Sequence, residues 1–137
     1  MIAEQVLKYL EINGYGVEAE NLFYDFLPDL PNDCIVLYDE SVPTAPESNC
    51  LSVDNAGLQI TVRNSNTVNS KTILWNIHKM IVGLGGNNFK FVSTGNIISN
   101  VTIETAPFSI GKDNDGRSMY TAHYNIRLMS ENDNVRL

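Results

Sequence analysis

The stretch GLQITVRNSNTVNSKTILWNIHKMIVGLGG, residues 57–86, changes its hydrophobic period once, within a few residues. Leu58, Ile60 and Val62 alternate with Gln59, Thr61 and Arg63, the two-residue period of a strand with one buried face. Further on, Ile73, Ile77, Met80, Ile81 and Leu84 form the stripe of an amphipathic helix. Ser65 or Asn66 is expected to cap its start by accepting from free backbone N–H groups. Gly85-Gly86 is expected to end it in the left-handed conformation. The helix should pack on the sheet to which the strand belongs.

The flanking segments extend this pattern. Ile2, Val6, Tyr9 and Leu10 recur at helical spacing, and Asn13-Gly14 supplies a stop, so residues 1–13 read as a helix. Leu22, Phe23, Phe26 and Leu27 suggest a short second helix closed by Pro28 and Pro31. DCIVLYDE reads as a strand at 33–39. Residues 41–57 hold Pro43, Pro46 and small polar residues without periodicity, a loop long enough to suggest a function. Strands are predicted around Phe89–Val92, along Ile97, Val101 and Ile103, and from Met119 to Met129. In the last, Tyr120, Ala122, Tyr124, Ile126 and Leu128 face one way, opposite Thr121, His123, Asn125 and Arg127. The reading is one α+β domain, 1–137, with an antiparallel or mixed sheet of about five strands. One long and one N-terminal helix cover one face, and a hairpin tip spans 107–117.

Candidate chemistry falls away on spacing. Asp113-Asn114-Asp115-Gly116 suggests a calcium loop, but Gly111 stands where the first carboxylate belongs and Ala122 where a bidentate Glu is needed. Asp-Gly followed by alternating apolar residues is a hairpin turn instead. GLGG closes a helix, whereas a phosphate loop opens one. Cys34 and Cys50 fit no zinc spacing, and Cys34 reads as a small buried hydrophobe. His78 is expected on the polar side of the long helix and His123 on the outward face of the last strand, neither beside a nucleophile in a catalytic motif. No catalytic, cofactor-binding or metal-binding residue is assigned.

Net charge is −7 with no basic cluster, which argues against specific nucleic-acid binding. Acidity of this kind suits solubility, or a passage through which a polyanion slides. No apolar run suggests a membrane span, and the N-terminus lacks the pattern of a secretory signal, so synthesis in the cytoplasm is expected.

LFYDFLPDLPNDCIVLYDES, the 57–86 stretch and DNDGRSMYTAHYNIRL together resemble the small head–tail joining proteins of tailed bacteriophages, the minor capsid or tail-terminator (tail-completion) group. The shared features are a proline-flanked strand with an acidic end and a strand ending in Arg that leads into a helix. An Asp-rich, Gly-containing hairpin with an aromatic–Asn strand, here Tyr124-Asn125, completes the likeness. The resemblance implies an α+β subunit of the virion, made in the host bacterial cytoplasm. It implies assembly into a ring, commonly a hexamer, between tail tube and head connector, with no catalysis and no cofactor. DNA would pass through the lumen. The candidate contact residues are Asp39, Glu40, Pro43 and Pro46 around the long loop, Lys112, Asp113, Asp115 and Arg117 at the hairpin, and the strand arginines Arg63 and Arg127. A monomeric protein-binding adaptor and a small hydrolase are the alternatives.

Overall fold

The switch of period after Val62 organises the sheet. The structure, a computed structural model, describes residues 2–40, 53–85 and 96–130. In chain order these form α1 (Ile2–Ile12), β1 (Leu22–Tyr24), β2 (Cys34–Glu40), β3 (Val53–Asn64), α2 (Thr67–Leu84), β4 (Asn96–Lys112) and β5 (Ser118–Ser130). The five strands make one mixed sheet in the order β1-β2-β3-β5-β4. Every neighbouring pair is antiparallel except β1 and β2.

Alternation sorts the strands into two faces. Leu58, Ile60 and Val62 of β3, Ile35 and Leu37 of β2, and Ala122, Tyr124 and Ile126 of β5 join the main core. Against them pack Val6, Leu7 and Leu10 of α1 and Leu74, Ile77 and Ile81 of α2, all buried. Each such side chain withdrawn from water contributes roughly 1.5–3 kcal/mol, so both helices are held by their apolar stripes. The opposite face carries a smaller cluster of Phe23, Cys34 and Val36 with Tyr38 beside it. Its polar part comprises Gln59, Thr61 and Thr121, whose side chains hydrogen-bond across β3 and β5.

Asn66 caps α2, its side chain accepting from the N–H groups of Val68 and Asn69. The other end differs from expectation. Gly85 is right-handed, with φ −68°, and glycine is needed there for a different reason. A Cβ on Gly85 would sit 2.8 Å from the backbone nitrogen of Val101, so the end of α2 lies directly on β4.

Residues 18–27 do not form a helix. Ala19 and Asp25 take positive φ values of 67° and 69°, which no right-handed helix accommodates, and between them β1 pairs in parallel with β2. Leu22 enters the main core while Phe23 enters the opposite cluster, a period of two hidden by their adjacency. The loop expected at 41–57 is shorter, because β3 begins at Val53 and its first residues pair with the far end of β5. The rest of that loop, with Pro43 and Pro46, and the strand expected at 89–92 lie outside the described residues. Residues 107–112 continue β4 instead of belonging to the tip, with register shifts on either side of Pro107. An edge strand tolerates proline because the missing N–H leaves no partner unpaired.

Candidate interaction surfaces

Two arginines at one end of the sheet fix the loop that follows β1. Arg63 closes β3 and is 2% exposed. Its guanidinium donates to the carbonyls of Pro31 (2.6 Å), Asn32 (3.2 Å) and Asp29 (3.3 Å). Arg117 opens onto β5 and is also buried. It donates to the Asp29 carbonyl and to Asn32 Oδ1. It also binds Asp113 Oδ2 at 2.7 Å and Asp115 Oδ2 at 3.2 Å. A buried guanidinium needs such a full set of acceptors. The consequence is a firmly held segment, residues 25–33, that turns Phe26 (57% exposed), Leu27 and Leu30 (70% exposed) outward. Beside it, Leu22, Phe23, Tyr24 and Phe26 line an open groove of about 450 Å³ with Glu18 and Ala19.

The hairpin tip is built around Asp113. Its carboxylate accepts from the N–H groups of Asp115 and Arg117 and from the Arg117 side chain. Burial would raise the Asp113 pKa, but the Arg117 and Asp115 hydrogen bonds outweigh it and hold the carboxyl below its ordinary range. Burial likewise opposes, and the Asp113, Asp115 and Asp29 charges reverse, the shift on Arg117, which ends raised. Gly116 supplies the positive φ of 77° that the turn requires. Lys112, the last residue of β4, and Asp115, in the turn, are left exposed.

β4 ends the sheet on the side away from β1. It pairs only with β5 among the described residues and exposes Ile103, Phe108 and Ile110. An edge strand of this length with apolar side chains is a template for pairing with another chain. Sequence reading placed Ile103 on a strand with Ile97 and Val101 but gave no outward role to it, to Phe108 and Ile110, or to Phe26 and Leu30. The signal for the β4 residues is an apolar run around a proline, where one strand face cannot be assigned from alternation.

Charge divides along the same direction. Among the described residues, those up to Glu40 include nine acidic residues against Lys8 alone, whereas the others include four acidic and six basic ones. α1 lies over β1, β2 and β3, and α2 over β3, β4 and β5. α2 contains Lys71 and Lys79, both exposed, and no acidic residue. The β1 side of the molecule is therefore more acidic than the β4 side, where Glu104 accompanies Lys71, Lys79 and Lys112.

The remaining expected contact residues fall in separate places. Asp39 belongs to the helix side of the sheet, where Oδ1 accepts from the Ala3 N–H at 2.9 Å. It thus satisfies one free donor at the start of α1 and places a negative charge there, which the helix dipole favours. Glu40, on the other face, meets His123 Nδ1 at 2.9 Å, and Phe108 stacks on the His123 ring. Arg127 is partly exposed on the same face of β5. His78, expected on a polar side, is buried with its Nδ1 2.7 Å from the Tyr124 hydroxyl. Burial lowers the His78 pKa and raises that of Tyr124. Burial also pushes the Cys34 thiol up, against the opposing Arg63 and Arg117 charges, which keeps this sulfur protonated and unreactive.

Neither histidine lines the groove beside β1 or the cavity of about 100 Å³ around Cys34, Arg63 and Tyr15. Among the described residues no group of three or more His, Cys, Asp or Glu side chains is placed to hold a metal ion. No described helix is long and apolar enough to cross a membrane.

The geometry is a helix-covered mixed sheet with apolar side chains exposed on its edge strand and on the loop after β1. The family model described as bacteriophage tail terminator protein matches residues 9–129, and the chain belongs to that family. It is thus a structural component of the virion, acting in head–tail assembly. A search of curated proteins finds no match.

Proposed function

We propose that this protein terminates the phage tail as a ring of identical subunits, a hexamer, that caps the tail tube and receives the head connector. The observation that carries the reading is the exposed apolar edge of β4, with Ile103, Phe108 and Ile110 in water on a strand unpaired on its outer side among the described residues. Ile103 pairs opposite Tyr124 and Phe108 opposite Thr121, so apolar side chains stand in water on both faces of this edge, as on a strand that meets another protein. Lys112 and Asp115 at the hairpin, Glu40 and Arg127 on the open face, and Pro43 and Pro46 in the adjoining segment are the contacts assigned to tube and connector. Asp39, Asp113, Arg63 and Arg117 support them from behind, through bonds within the chain.

DNA passes through the lumen without sequence-specific contacts. A net charge of −7 favours that passage, since phosphate-neutralising contacts would retain the polymer. The subunit is made in the host bacterial cytoplasm before assembly.

Light scattering coupled to size separation, with negative-stain imaging, tests the reading. Rings are expected either for the free protein or after addition of isolated tail tubes. A strict monomer that neither forms rings nor binds tubes would favour a protein-binding adaptor. Replacing Lys112–Asp115 by a Gly-Ser tip should weaken tube or connector docking; unchanged assembly would reduce the tip to a plain turn.

A further inference from the structure

We infer that successive subunits join head to tail, the β4 edge of one copy lying along the β1 edge and braced 25–33 loop of the next. The inference rests on the ring reading and names the surfaces that meet.

The two ends of the sheet are unlike and complementary. At the β4 end Ile103 on one face of the sheet, Phe108 on the other and Ile110 near the hairpin are exposed, beside a strand edge unpaired among the described residues. At the β1 end a strand of only three residues borders an open apolar groove, with Phe26 exposed on its lining. Neither end matches itself well in charge. The β1 end is acidic, with Glu18 lining the groove and Glu20 and Asp25 next in sequence to its lining residues, so two such ends repel. The β4 end is less acidic: Glu104 and Lys112 are exposed on the strand, and Lys71 and Lys79 on α2, which packs against it. Pairing unlike ends brings α2 of one copy beside α1 of the next, and lysines toward carboxylates. Complementary fields of this kind set partner orientation and speed encounter. A contact between two different patches of one molecule repeats indefinitely, and closes into a ring when its rotation allows.

Both patches are held independently of the contact. The loop at the β1 end is fixed by Arg63 and Arg117, and β4 is paired to β5 along its length. Little ordering cost is then left for association.

The test uses two variants of the full chain, Phe26→Glu at one end and Ile110→Glu at the other. Both side chains are largely in water, at 57% and 49% exposure, so monomer melting curves should match the unchanged protein. Each variant alone should raise the subunit concentration needed for assembly by at least about tenfold. An equimolar mixture keeps one intact pair of edges and should yield heterodimers but no rings. Assembly of the unchanged chain should weaken with salt. Rings unaffected by either variant would overturn the inference and leave the ring reading standing. Loss with Ile110→Glu alone would indicate a β4–β4 contact and also overturn it. Intact rings that no longer bind tail tubes would assign the β4 edge to the tube protein, again against the inference. Open filaments abolished by both variants would uphold the contact and count against the closed ring. An unchanged chain that stays monomeric with tubes present would sink both.

Discussion

Single side chains carry much of the architecture. Arg63 sits on the face opposite Leu58 and Ile60, as alternation predicts, yet its burial was not legible, because alternation gives a side and says nothing of what folds over it. The cover is the 25–33 loop, whose carbonyls Arg63 binds. Arg63→Ala leaves those acceptors unpaired and should cost about 2–3 kcal/mol, measured by urea unfolding. Asp39, which in the sequence is one of two adjacent carboxylates at a strand end, holds α1 from 36 positions away. Asp39→Ala should cost about 1 kcal/mol in the same assay. His78 gives a pH dependence of definite sign. Burial holds its imidazole below the ordinary value of 6.5, so the unfolded chain takes up the proton first. Its contribution to stability is full above that value and is lost as pH falls through the lower folded value. Melting followed between about pH 7.5 and about pH 5.5 should show a smaller loss for His78→Asn than for the unchanged chain.

Among the elements, α2 and the β5 alternation were legible because each is long and strictly periodic. β1 was not, since three residues cannot display a period and Leu22-Phe23 serves two different cores. The start of β3 was equally hidden: Val53–Gly57 are held by the backbone ladder to β5, which composition does not show. Two glycines of α2 and its end separate propensity from packing. Gly83 has open space at its Cβ position, so Gly83→Ala should stabilise by roughly 0.5–1 kcal/mol through the lower entropy of the unfolded chain. Gly85 also has helical φ, and propensity alone predicts the same gain. Because a Cβ there would meet the Val101 backbone at 2.8 Å, Gly85→Ala should instead destabilise and loosen α2 from β4. Thermal melts of the two variants, with hydrogen exchange at Val101, distinguish the cases: equal gains would show that β4 yields without cost.

At the scale of the whole molecule, the family resemblance was legible from the order of a few short motifs, while the surfaces that serve assembly were not. Apolar residues in sequence suggest a core, and only the tertiary arrangement shows that Phe26, Leu30, Ile103 and Ile110 are left in water. The strand order has a further consequence for how the molecule comes into being. β5 is the last described strand, yet it lies between β3 and β4, so Thr61 waits for Thr121 before their pair can form. A chain emerging from the ribosome cannot complete its sheet until β5 has appeared, because long-range pairings await their partner. β4, made earlier, has no strand to pair with until then. Protease-resistant nascent chains should therefore appear only once β5 has cleared the exit tunnel; resistance at a length ending before Ser118 would refute this order. Partly synthesised subunits would thus lack a finished β4 edge to offer a neighbour, and incorporation would be reserved for chains translated through β5.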